Sequence, residues 1–203
     1  MASCCDEKSC EVTALLRRHR KVLIVVLIIN TIMFFIEGAY GWLSHSTALM
    51  ADALDMLGDA LVYSLSLYVL AKSNRQQAGV SLFKGVFMLV FGLMVLIEAG
   101  YKIFHPILPN VEIMGMVGLL ALIANLVCFF LLYSHREDNL NMSSTWLCSR
   151  NDLVANTGVL VAALLSYLLV SRWPDIFVGV MIAMIFLQSA VFVIKQSLIE
   201  IKQ

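Results

Sequence analysis

The sequence predicts an all-α integral membrane protein, a six-transmembrane-helix bundle with both termini in the cytoplasm. Three observations predict it. Of 203 residues, 61% are apolar and only 14% are Asp, Glu, Lys or Arg, too few polar groups to clothe a water-soluble domain of this size, so lipid must cover the rest. Mean hydropathy is +0.88. The apolar residues gather into six stretches near the ~20 residues that cross a hydrocarbon core, and Lys and Arg fall preferentially between alternate stretches. The formal net charge is zero, which offers no basic face to nucleic acid. Three prolines and 11 glycines exclude a collagenous or low-complexity chain.

The first span is predicted from about Val22 to Ser44. It carries Glu37 and has no clean small-residue cleavage site, so it is read as a span and not a signal peptide. The second runs from Thr47 to Ala71, the third from about Gly79 to Phe104 and the fourth from about Val111 to Tyr133. The fifth has its apolar part at Leu153 to Ser171, with a helix starting near Asn141, and the sixth runs from about Pro174 to Leu198. Residues 1–21 then form a cytoplasmic tail bearing Cys4, Cys5 and Cys10, residues 22–198 the membrane domain, and residues 199–203 a short cytoplasmic end. Arg17, Arg18, Arg20, Lys21, Lys72, Arg75, Arg136, Arg150, Lys195 and Lys202 fall on one side. Only Lys102 and Arg172, at loop edges, fall on the other, which sets the orientation. Two halves of three helices each would make an inverted pair.

The chemistry is concentrated in acids inside spans. Asp52, Asp55 and Asp59 lie in the second span, and their spacings of three and four put them on one helical face. An Asp at the bilayer centre costs ~2.5–3.5 kcal/mol, so intramembrane acids are functional by default. The bland reading is protonated packing against neighbouring helices. A cation is the natural partner, because Lys84 is the only plausible positive side chain deep in the membrane, Lys102 and Lys195 lying near span ends. In the fifth helix Cys148, Asp152 and Asn156 follow at spacings of four. Counting 1.5 Å per residue, Asp55 and Asp59 lie roughly 14 and 20 Å from the outer end, and Cys148 and Asp152 roughly 11 and 17 Å from the inner end. Antiparallel neighbours would therefore level Asp55 with Asp152 and Asp59 with Cys148. Four such ligands suit tetrahedral Zn²⁺. The thiolate favours Zn²⁺ and Cd²⁺ over Mg²⁺ or Ca²⁺, while three carboxylates leave Co²⁺, Fe²⁺, Ni²⁺ and Mn²⁺ open. Ligands must lose protons to bind metal, which supplies a route to proton exchange.

The stretch NTIMFFIEGAYGWLSHSTALMADALDMLGDA, residues 30–60, resembles helices 1 and 2 of the cation diffusion facilitator family. CSRNDLVANTGVLVAAL resembles that family's helix 5, with a four-spaced pair ending in Asp. The resemblance spans all six helices. It implies a homodimeric bundle that exports divalent metal in exchange for protons, with Asp55, Asp59, Cys148 and Asp152 in the positions of the family's ligands. Two departures stand out. The first helix 5 ligand is commonly His in the family and is Cys148 here, and the helix 2 pair is Asp–Asp where many zinc members have His–Asp. Typical members also continue into a cytoplasmic metal-binding domain. With the sequence ending at Gln203, a dimer is expected to rest on membrane helices.

The reading is a divalent metal efflux carrier in the cell (inner) membrane, not an enzyme, with no prosthetic group, Zn²⁺ as first substrate and protons as counter-ion. Its rival is a metal sensor or adaptor of the same fold that binds without moving the ion. A membrane protease lacks its H-E-x-x-H, and a fast channel would be slowed by acids this deep. Asp52, Glu37, Asn156, Cys4, Cys5 and Cys10 are candidate accessory metal residues. Asn30, Asn125 and Glu98 are further polar groups within spans, and amides there tend to bond between helices. His19, His45, His105 and His135 flank the spans and read as solvated loop residues.

Overall fold

A computed structural model describes the backbone of residues 3–69, 74–134 and 140–202. Side chains are described from Arg20 onward, apart from those of residues 62–63, 65–69, 74–78, 80–81, 84, 140–151, 196, 200 and 202. These residues form six helices: α1 Ser3–Leu43, α2 Thr47–Val69, α3 Asn74–Phe104, α4 Val111–Tyr133, α5 Leu140–Leu169 and α6 Trp173–Lys202. Five of them are long and apolar enough to cross a membrane. The sixth, α2, has 23 residues and carries Asp52, Asp55 and Asp59. Large apolar side chains such as Phe35, Phe83, Ile97, Phe104, Val154 and Phe177 are exposed around the outside, an arrangement that only a lipid surround tolerates. The chain is an all-α, multi-pass membrane bundle.

Helix ends follow local chemistry. Asn110 caps α4, its Oδ1 accepting from Ile113 N at 3.2 Å, with Glu112 in the first turn against the positive end of the helix dipole. α1 and α5 end alike. Ser46 N donates to Gly41 O at 3.0 Å and Ser171 N to Ser166 O at 3.2 Å, the six-to-one closure of a Schellman turn. The residue that turns the chain is in the left-handed region in both, His45 at φ 51° and Val170 at φ 48°. α1 begins at Ser3, so helical backbone runs back through the segment bearing Cys4, Cys5 and Cys10. The side chains of those cysteines lie outside the described residues, as do those of His19, Lys84 and Cys148 and the whole of His135.

The most extensive helix pairings are α3 with α6, α1 with α2, and α4 with α5; α2 also packs on α6 and touches α5. Small residues make these approaches possible. A Cβ on Gly179 of α6 would stand 2.6 Å from Thr47 C and 2.7 Å from Ala48 N, so α6 lies directly against the backbone where α2 begins. The core runs through Leu49, Leu54, Val95, Met114, Val159 and Phe186, contributed by α2 to α6. Exchanging helices 1–3 for 4–6 carries α1–α2 onto α4–α5 and α3–α6 onto itself. Among the described residues the α2–α6 packing has no comparable α5–α3 counterpart.

Candidate functional site

Asp55 is the ninth of the 23 residues of α2, and Asp152 the thirteenth of the 30 of α5. Near the middle of both helices, the two carboxyls lie within hydrogen-bonding reach of each other. Asp59, one turn along α2, is close enough to act electrostatically on Asp55. Asp152 is 8% exposed and Asp55 is partly buried. Two of the four candidate ligands, Asp55 and Asp152, therefore meet where α2 faces α5, with Asp59 one turn along α2 beside Asp55. The fourth, Cys148, is one turn before Asp152 on α5, and its side chain is not among the described ones. Among the described residues, no three His, Cys, Asp or Glu side chains converge tightly enough to enclose an ion. Any such enclosure needs a donor from beyond them or a small inward movement of the helices.

Sequence reasoning missed Cys128 of α4. It is a free thiol, 1% exposed, and it lies close enough to Asp59 to feel that charge. Its position in an apolar run carried no signal of this neighbour.

A second group of acids adjoins the first. Glu37 of α1 and Asp52 of α2 are both 0% exposed, and their carboxyls face one another. Asn156 of α5, also buried, donates through Nδ2 to Asp52 Oδ1 at 3.3 Å and to the backbone oxygen of Asp152 at 2.9 Å. Asn156 thus bridges the two helices. Asn30 instead turns back on its own helix, Nδ2 donating to Val26 O at 2.9 Å. Asn125 is buried with its Nδ2 unpartnered.

A polar cluster at the loop end of the bundle sets where α2 starts. Asp175, in the first turn of α6, accepts from Ser46 Oγ at 2.6 Å, Thr47 N at 2.8 Å and Ala48 N at 3.0 Å. Ser46 Oγ in turn accepts from Leu49 N at 3.1 Å. Of the first-turn N–H groups of α2, which have no partner within the helix, those of Thr47 and Ala48 are thus satisfied from another helix and that of Leu49 by Ser46. Lys102 is not at a solvated loop edge. It is 2% exposed and pairs with Glu98 at 2.8 Å. Its Nζ also donates to His45 O and Thr47 Oγ1, both at 2.9 Å. α3 and α6 are therefore both tied to the start of the helix that carries the acids. His45 and His105 are exposed at the same end, and Arg172 lies over the Trp173 ring at 5.7 Å.

Residues 23–201 match the family model for the cation efflux transmembrane domain. The chain is 28% identical over 202 residues to the zinc transporter ZitB of Yersinia pestis, covering 90% of this chain and 63% of that protein. It is 28% identical over 196 residues to a cadmium, cobalt and zinc/H(+)-K(+) antiporter of Bacillus velezensis, covering 89% of this chain and 62% of that protein. It is 25% identical over 194 residues to the cation efflux system protein CzcD of an Alcaligenes species, covering 89% and 61%. The chain thus spans a little over three-fifths of the length of these relatives. With a family match across nearly all of its membrane helices, the chain belongs to the cation efflux family.

Proposed function

We propose that the chain carries divalent metal cations across the membrane, out of the cytoplasm and in exchange for protons. Zn²⁺ is the first substrate, with Cd²⁺, Co²⁺, Fe²⁺, Ni²⁺ and Mn²⁺ behind it. The observation that carries the reading is the meeting of Asp55 and Asp152, with Asp59 one turn away, between two helices of a membrane bundle. Carboxylates from two helices at one level are tolerable in lipid when they share a cation. The names of the relatives support the substrate class: one is a zinc transporter and another a cadmium, cobalt and zinc antiporter.

In this reading Asp55, Asp59, Cys148 and Asp152 hold the ion. Oxygen donors accept borderline and hard ions, and the sulfur raises affinity for softer ones. Release of ligand protons on binding, and their return when the ion leaves, links metal movement to proton movement. A side-to-side change of access by helix rocking exposes the site to each compartment in turn. The Lys and Arg bias gives cytoplasmic termini, and a homodimer would assemble through the lipid-facing helices.

The test is flux. The full chain in sealed vesicles is expected to take up Zn²⁺ when the pH gradient favours exchange and to lose uptake with Asp59→Ala. Equal flux in Asp59→Ala refutes the ligand assignment. Metal binding without flux in the wild-type chain makes it a sensor or adaptor.

A further inference from the structure

Glu37, Asp52 and Asn156 adjoin the four candidate ligands without being among them, and several of their atoms lack partners. Both carboxylate oxygens of Glu37, Oδ2 of Asp52 and Oδ1 of Asn156 are buried with no hydrogen-bond donor. All three residues are 0% exposed. Buried polar groups are nearly always satisfied, and a cluster of orphans in one place calls for a bound species. With both carboxyls ionised, every orphan here is an acceptor. Lys102, a buried cation of the bundle, is engaged elsewhere, by Glu98, His45 and Thr47.

The choice of occupant follows from charge. Water can donate to the orphans but leaves two carboxylates facing each other without compensation. One proton shared between the two carboxyls answers part of the charge, and a proton on each neutralises the pair; these protons are what a bound metal ion would displace. A cation answers both needs. Oxygen-only donors, two anionic and one amide, with water completing the shell, suit a hard or borderline divalent ion.

We propose that Glu37, Asp52 and Asn156 form a second cation site, built from α1, α2 and α5 and adjoining the Asp55–Asp152 meeting point. It takes divalent ions that accept oxygen donors, Mn²⁺ and Co²⁺ as well as Zn²⁺, and has no thiolate to favour Cd²⁺. Asp52 precedes Asp55 by three residues, about 4.5 Å along the helix, on the side of the α1–α2 connection. Asn156 touches both groups, through Asp52 Oδ1 and the Asp152 backbone. The inference rests on the transport reading for its purpose, a waiting position one turn from the main ligands, but not for its detection.

The experiment is a Mn²⁺ titration of the purified full chain in detergent, with free ion read by electron paramagnetic resonance. The starting protein is the Asp59→Ala/Cys148→Ser variant, in which the main ligand set is broken. It is expected to bind one Mn²⁺ per chain, and adding Glu37→Gln is expected to weaken that binding by about tenfold or more. Asn156→Ala in the same background keeps both carboxylates and is expected to weaken it less; it replaces Glu37→Gln as the readout should the latter fail to elute as a monodisperse species. No Mn²⁺ bound by the starting variant, or binding unmoved by the added substitution, overturns the proposal and leaves water or a shared proton as the occupant. Zn²⁺ flux by the wild-type chain, lost in Asp59→Ala, would then still stand as support for transport. Absence of that flux together with Glu37-dependent Mn²⁺ binding would overturn transport and keep the site.

Discussion

Asp175→Ala should be among the most damaging single changes away from the mid-membrane acids. The wild-type carboxylate accepts three bonds, from Ser46 Oγ at 2.6 Å, Thr47 N at 2.8 Å and Ala48 N at 3.0 Å. All four residues are buried, Ser46, Thr47 and Ala48 at 0% and Asp175 at 1% exposure, so water does not readily replace the lost acceptor. A hydrogen bond to a charged group is worth about 1.5–3 kcal/mol. Ser46 can redirect its hydroxyl, so the two orphaned backbone donors dominate, giving a loss of about 3–4 kcal/mol. For a chain of this size that lowers the melting temperature by roughly 6–15 °C. Asn in place of Asp keeps one acceptor and presents an NH₂ to the remaining donor, so Asp175→Asn should fall between wild type and Asp175→Ala. The measurement is size-exclusion chromatography of detergent extracts after a temperature ramp. An Asp175→Ala protein that melts with the wild type would refute the claim that α6 caps α2 through this residue.

Four further outcomes follow from the same structure. Gly179→Ala should destabilise by about 1–3 kcal/mol as an overpacking change, because its Cβ would meet the Thr47 and Ala48 backbone at 2.6 and 2.7 Å; the same melting assay reads it. Val170→Gly should stabilise by about 1 kcal/mol, since a branched side chain at φ 48° is strained and glycine is not; a lowered melting temperature would count against this. Lys102→Met should leave Glu98 without its 2.8 Å partner and strip donors from His45 O and Thr47 Oγ1, lowering stability by about 2–4 kcal/mol, a loss that a second change, Glu98→Gln, should partly recover. In vesicles, Cys148→Ser should weaken Cd²⁺ transport far more than Mn²⁺ transport, because only the softer ion gains from a thiolate; equal losses for both metals would remove Cys148 from the ligand set.

Length and hydropathy are properties of consecutive residues, so the sequence alone determined the membrane class, the six helices and most of their ends. The expected starts at Thr47 and Val111 coincide with those of α2 and α4. Where the ends differ, as at Asn74 for α3 and Lys202 for α6, helical hydrogen bonding continues past the apolar stretch, and hydropathy marks only the lipid-facing part. Helical periodicity likewise put Asp52, Asp55 and Asp59 on one face, because that depends on the backbone of one helix. The partners of those residues were decided only in three dimensions. Nothing local tells an Asp after Trp-Pro that it will cap a helix 129 residues away, tells Lys102 that it will be buried against the α1–α2 turn, or sets Cys128 near Asp59 and Glu37 against Asp52. Each of those pairings depends on which helices touch and at what height. That is settled by close packing at small residues such as Gly179 and by buried polar groups such as Asp175 and Lys102 finding partners on other helices.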